Sequence, residues 1–207
     1  MNTFKEFKQD KYKAPPYDFM GNRKGFAFHR NAPGYSDIVA HLPLLEYLGS
    51  KCKHITEFGT RDGFSTSAFI SGLSKSGGGK LVSCDIHVPS FLEFFDSIEL
   101  PCSWQFRQRS TVDPSFEIEE TDLLFVDSLH TYNQVKSELE LHSKEVAKNI
   151  VFHDTYSHGK FSRDVQGEEG ILKSINEFLE SNEQWKKVYD VDFNHGLIVL
   201  EKIQDKT

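Results

Sequence analysis

Four short apolar runs recur along the chain: KHITEF (53–58), KLVSCDI (80–86), TDLLFVD (121–127) and KNIVFHD (148–154). Each is too short for a helix, rich in β-branched or aromatic residues, and followed by a stretch with turn or helical character. The intervening segments STSAFISGLSKS, PSFLEFFDSIEL and TYNQVKSELELHSKEVA carry apolar residues at helical spacing, the first stopped by GGG at 77–79. Strands separated by helices cannot pair as hairpins, so the pattern predicts a mainly parallel sheet covered on both faces. WQFRQRS adds a strand and EEGILKSINEFLES a helix. SDIVAHLPLLEYLGS, opened by Ser36, reads as a helix that Pro43 kinks or divides in two. WKKVYDVDF and LIVLEKI, around Asn194-His195-Gly196, read as a closing hairpin that contributes one antiparallel strand.

At 207 residues there is room for one α/β domain. Residues 1–35 hold prolines, glycines and aromatics without a period, which predicts an arm or lid; residues 36–207 form the domain. Three cysteines, Cys52, Cys84 and Cys102, are widely spaced with no CxxC pair, which fits a reducing compartment. No apolar run reaches the roughly 18 residues of a membrane span, and the N-terminus lacks a signal-peptide core. A cytoplasmic location is expected. The net charge of −7 disfavours non-specific nucleic-acid binding, which depends on neutralising phosphates.

The stretch EFGTRDGFS (57–65) ends the first run in a glycine-rich turn, where a ligand can approach the backbone closely. Its spacing is not GxGxxG, and an acid at the strand end would repel a pyrophosphate while suiting a cationic ligand. S-adenosylmethionine is such a ligand. Glu57 can organise the turn and favour positive charge, backbone groups around Gly59 can meet the ammonium, and Ser65 can meet the carboxylate. Asp85, ending the next run, can accept hydrogen bonds from both ribose hydroxyls, and Ser110 and Thr111 suit the adenine edge.

Taken in order, EFGTRDGFS, LVSCDIH, DLLFVDSLHTYNQVKSELE and NIVFHDT resemble the class I S-adenosylmethionine-dependent methyltransferases. The similarity is to the small O-methyltransferases around the catechol, macrocin and cephalosporin-hydroxylase-like groups, and covers residues 36–202. It implies a Rossmann-like, doubly wound, seven-stranded sheet with the last strand antiparallel. It also implies that Glu57, Gly59, Thr60, Gly63 and Ser65 line the methionine end of the cofactor, with Asp85 on the ribose, Ser110 and Thr111 near the adenine, and Asp127 at the same site.

Asp127 and Asp154 end neighbouring runs, so both reach the ligand-binding edge of a parallel sheet and can converge on Mg²⁺ or another divalent cation. Such a cation would polarise and orient an acceptor hydroxyl. His130, with an unperturbed pKa of about 6.5, is then the expected general base. His153 precedes Asp154, and on an extended strand the two side chains point to opposite faces, so His153 joins the metal ligands only if the strand has ended there. The chain departs from catechol-type enzymes in having Thr155 after Asp154, and from macrocin-type enzymes in having His153-Asp154 where a double acid is common.

The expected reaction is metal-assisted O-methylation of a small hydroxylated acceptor, a sugar or secondary metabolite. A cofactor-binding protein without turnover is an alternative, as is a nicotinamide-dependent oxidoreductase, which the missing GxGxxG disfavours. A hydrolase built on the His153-Asp154 pair is a further option, disfavoured because the pair ends a strand. Tyr132, Tyr156, His158, Phe26, Phe28 and His29 are candidates to shape the acceptor pocket. An aromatic arm often packs on a second subunit, which keeps a homo-oligomer open.

Overall fold

A computed structural model describes residues 37–203; the expected arm and Phe26, Phe28 and His29 lie outside the described residues. The segment around Pro43 forms a 3₁₀ turn at Val39–His41 followed by α1 (Leu42–Gly49), with Pro43 in its first turn where its missing N–H costs nothing. The chain continues through β1 (His54–Phe58), α2 (Phe64–Lys75), β2 (Lys80–Asp85), α3 (Leu92–Asp96) and β3 (Ser103–Gln108). It then forms β4 (Thr121–Val126), α4 (Tyr132–His142), β5 (Val146–His153), α5 (Ile171–Ser181), β6 (Trp185–Val191) and β7 (Leu197–Lys202).

The seven strands stand in the order β3-β2-β1-β4-β5-β7-β6. β1 to β5 are parallel; β7 runs antiparallel to both β5 and β6. Alternation along the strands separates two cores. Leu123 and Phe125 face α1, α2 and α3, whereas Leu124 and Val126 face α4 and α5. The helix expected over PSFLEFFDSIEL is only five residues long, because Phe91 and Phe95 suffice to cover this edge against Trp104.

The strand order reverses between β1 and β4, the point where open α/β sheets bind ligands. The β6–β7 turn has Asn194 and His195 at φ +45° and +70°, closed by the Gly196 N–H on the Phe193 carbonyl, a type I′ geometry. Among the described residues no helix is long and apolar enough to cross a membrane.

Candidate active site

At the switch point the strand tips are tied together by backbone. The Asp127 N–H donates to the Phe58 carbonyl at 2.9 Å, and the Gly59 N–H to the Cys84 carbonyl at 2.8 Å. Gly59 lies at φ +85°, and a Cβ there would overlap the Asp127 carbonyl. Gly63, at φ +77°, admits the Phe91 ring in the same manner. These glycines make room for the protein's own chain and ring. Their consequence for the site is indirect: they fix where Asp127 stands.

Glu57 is fully buried, and its carboxylate accepts hydrogen bonds from Ser65 (2.6 Å), Thr66 (2.8 Å) and Ser83 (2.6 Å). Burial pushes its pKa up to about 7, an effect the three hydroxyls only partly offset. Glu57 therefore organises the turn as expected, with its carboxylate turned onto three hydroxyls and its ionisation disfavoured by burial. Ser65 is likewise corrected: its hydroxyl serves Glu57 and is not directed at a ligand carboxylate.

Asp85 is half-buried at the tip of β2. Its Oδ2 accepts from the Thr60 N–H (2.9 Å), the Thr60 hydroxyl (3.2 Å) and the Arg61 N–H (3.3 Å), and its Oδ1 from the His87 N–H (2.9 Å). Asp85 thus holds the β1–α2 turn, and Oδ1 keeps acceptor capacity for one ribose hydroxyl. A second would require the Thr60 hydroxyl to turn away. Ile86, next in the chain after Asp85, and Leu129, just beyond β4, expose apolar side chains. Thr111 is corrected: its hydroxyl is buried on Glu138 (2.5 Å), with Gln134 and Ser128 completing that network. Ser110 is half-buried at the mouth of the same region.

The second half of the site lies at the ends of β4 and β5. β5 ends at His153, and Asp154 takes a left-handed conformation at φ +59°. That turn brings Asp154 back to the side His153 faces, so the condition for His153 to join the carboxylates is met. His153 Nδ1 stands 3.3 Å from Asp127 Oδ1 and 3.4 Å from Asp154 Oδ2. His130 Nε2 stands 3.1 Å from Asp127 Oδ1 and 3.2 Å from Asp154 Oδ2. Asp127 does not cap α4; Thr131 does, accepting the Gln134 N–H.

Both aspartates are held well below the usual carboxylate range: burial raises them, and the neighbouring imidazoles outweigh it. The imidazoles move the other way. Burial lowers His130, but Asp127, Asp154 and Asp164 raise it to about 9. Burial also lowers His153, which Asp127 and Asp154 lift to about 11. These carboxylates favour the protonated ring of His130, which works against its expected role as a neutral base.

Several contributors were not among the expected site residues. Asp164 accepts both the His130 Nδ1–H (2.7 Å) and the His130 backbone N–H (3.0 Å). His195, forced left-handed by the tight turn, sets Nδ1 3.1 Å from Asp154 Oδ1, which also accepts the Ser157 hydroxyl. His153 Nε2 reaches the Asp37 and Asn194 carbonyls. The Asn-His-Gly turn was legible, but not its placement over β5. Asp164 sits in a polar loop without a pattern. Of the acceptor-pocket candidates, His158 packs on His130 with ring centroids 4.4 Å apart, and Tyr156 is exposed. Tyr132 is turned onto Glu177 of α5.

The donor chemistry fits a divalent cation. Asp127, His153 and Asp154 each offer a donor atom within 4.8 Å of the others, and the groups His130–His158–Asp164 and Asp37–Asp154–His195 are equally close.

Residues 56–155 match a family model described as a methyltransferase domain. No curated protein sequence gives a significant match. Among solved structures, the chain is similar to the O-methyltransferase TomG of Streptomyces achromogenes, involved in tomaymycin synthesis and solved with S-adenosylmethionine. The identity is 15%, over 87% of this chain and 88% of that one, at a TM-score of 0.55. The S-adenosylhomocysteine-bound methyltransferase PaMTH1 of Podospora anserina is similar at 15% identity over 79% and 78%, TM-score 0.54. MycE of the mycinamycin pathway, solved with Mg, S-adenosylhomocysteine and mycinamycin VI, is similar at 16% identity over 80% of this chain and 48% of that one, TM-score 0.56. Likeness at such identities establishes the fold, a class I methyltransferase sheet. The methyltransferase-domain match covers a little under half of the chain, from β1 to the end of β5, which is the part of the sheet that carries the site.

Proposed function

We propose that the protein transfers a methyl group from S-adenosylmethionine to a hydroxyl of a small acceptor, assisted by a divalent cation held by Asp127, His153 and Asp154. The observation that carries this reading is the convergence of two carboxylates and an imidazole at the tips of β4 and β5. Two carboxylates and an imidazole converging at a ligand-binding edge form a donor set of the kind that holds a divalent cation. A cation there would supply Lewis-acid polarisation and a template for the hydroxyl.

The chain's own residues divide the remaining work. Asp85 orients the ribose, Ile86 and Leu129 flank the base, and the Gly59 turn holds the methionine end near Asp127. Holding oxygen, methyl carbon and sulfur in line then supplies much of the rate. His195 is half-exposed and oriented by Asp154, which suits it to accept the hydroxyl proton. Exposed Tyr156, Phe161 and Phe193 give the acceptor side apolar and aromatic surface, consistent with a small organic acceptor. MycE, solved with Mg and mycinamycin VI, supports the acceptor class and the cation by analogy. The domain is read as beginning near residue 36, with the preceding segment as a lid, and as working in the cytoplasm.

The test is calorimetric titration with S-adenosylmethionine, followed by a screen of hydroxylated acceptors with and without a chelator. Saturable binding with chelator-sensitive methyl transfer is expected. Binding without transfer to any acceptor would favour a non-catalytic cofactor-binding protein, and absent binding would refute the reading.

A further inference from the structure

We propose that Arg61 is the receptor for the carboxylate of S-adenosylmethionine, which it takes in exchange for the side chain of Asp37. This rests on the reading above that the β1–α2 turn holds the methionine end of that cofactor.

The cofactor brings three charges to the strand tips: a sulfonium, an ammonium and a carboxylate. The acids Asp85 and Asp127 suit the two cations and repel the third group. Ser65, the residue expected to meet the carboxylate, gives its hydroxyl to Glu57 instead. From residue 57 to residue 66 the only basic side chain is Arg61. Its backbone N–H lies 3.3 Å from Asp85 Oδ2, so the residue is tied to the acid assigned to the ribose.

The guanidinium is already arranged for a carboxylate. Arg61 Nη1 donates to Asp37 Oδ2 at 2.9 Å and Nη2 to Asp37 Oδ1 at 2.7 Å, the two-pronged geometry in which a planar fork matches two oxygens. The Arg61 side chain is 62% exposed, and an ion pair this open to water is worth little, so a ligand carboxylate can replace Asp37. Asp37 also sets the pair against the carboxylate–imidazole cluster. Its carbonyl accepts from His153 Nε2 at 3.0 Å, and its carboxylate lies within 4.8 Å of donor atoms of Asp154 and His195. Arg61 itself stands at φ +38°, between Gly59 and Gly63. A glycine would take that conformation without strain; the turn carries a charged side chain there at a cost in backbone energy, as ligand-holding positions do.

The experiment is titration calorimetry of the full chain with S-adenosylmethionine and with decarboxylated S-adenosylmethionine, which keeps the sulfonium and the ammonium and lacks only the carboxylate. The surrounding acids alone would favour the decarboxylated compound, whose net charge is more positive. Wild type is instead expected to bind S-adenosylmethionine about 10- to 100-fold more tightly, the scale of hydrogen bonds between charged groups. In Arg61→Gln that preference should vanish through loss of affinity for S-adenosylmethionine alone. Asp37→Asn, which removes the competing charge, should raise the preference several-fold; an unchanged or lower preference would overturn the exchange. Equal wild-type affinities for the two compounds would overturn the proposal without any variant. So would an Arg61→Gln protein that weakens both compounds alike, the mark of a merely structural turn residue. Binding of neither compound would refute the cofactor reading itself.

Discussion

Glu57 and Asp127 end adjacent strands of one sheet, and their carboxylates have opposite fates. Glu57 is surrounded by three hydroxyl donors and is pushed up to about 7 by burial. Asp127 is met by imidazoles and is driven far below its ordinary range despite burial. Hydroxyls satisfy a carboxylate whether or not it is ionised; imidazoles beside two carboxylates demand a positive charge among them, whether proton or ion. The first arrangement closes on itself and builds a turn. The second keeps ionised carboxylates at the sheet's ligand edge, balanced by a proton or an ion, which is what separates a structural acid from one available for chemistry.

Gly59 joins the two regions, so the largest effect is expected there. Gly59→Ala sets a side chain against the Asp127 carbonyl at a φ that L-residues avoid. The expected loss is about 3 kcal/mol or more of stability, read by urea denaturation. If the comparison holds, this variant damages both regions together. Asp127→Asn should instead leave the melting profile of the β1–β2 half nearly intact while methyl transfer falls about 10³-fold, the scale of several kcal/mol of lost electrostatic stabilisation. Equal loss of stability in both variants would erase the distinction between the regions.

The Glu57 side is testable by pH. Its folded pKa, about 7, lies above its unfolded value near 4.5. A raised acid binds its proton more tightly when folded, so its stabilising contribution is full below pH 4.5 and is lost as pH rises through 7. Wild type relative to Glu57→Gln should lose about 2–3 kcal/mol across that window, measured by denaturant melts at fixed ionic strength. Asp127 and Asp154 act oppositely, their stabilisation failing only in strong acid, so they do not disturb the window. A flat difference would show Glu57 ionised at neutral pH, and with it a negative charge beneath the cofactor turn.

The strands, their parallel order and the closing hairpin were legible because period-two burial and turn residues are local signals. So were Asp127, Asp154 and Asp85, since acids at strand tips must meet at the sheet's carboxyl edge. What the glycines contact was not legible: Gly59 faces a carbonyl from a strand nearly 70 residues away, a long-range packing fact with no local mark. Ser65 and Thr111 look like ligand contacts in the sequence because free hydroxyls do; only the fold reveals that buried acids, Glu57 and Glu138, claim them first. The left-handed turn at Asp154 reversed the strand alternation that would have separated it from His153. His195 and Asp164 entered from a hairpin and a loop whose docking depends on the whole sheet.

The smallest expected effect concerns Asp164, and it probes how far the carboxylate–imidazole region extends. Asp164 touches neither Asp127 nor Asp154 in any hydrogen bond described, but it fixes His130 by accepting both its ring and backbone N–H groups. Asp164→Asn keeps the shape and an acceptor oxygen while removing the charge. Loss of a partner outside the ligand set typically weakens metal binding roughly 10- to 100-fold, and the lower end is expected because Asp164 is partly exposed and the backbone bond can persist. Mn²⁺ titration calorimetry reads the change directly. A purely structural Asp164 would alter the melting temperature and leave Mn²⁺ affinity unmoved; an affinity change at constant stability means that the region defined by imidazoles reaches past the aspartates to the loop that holds them.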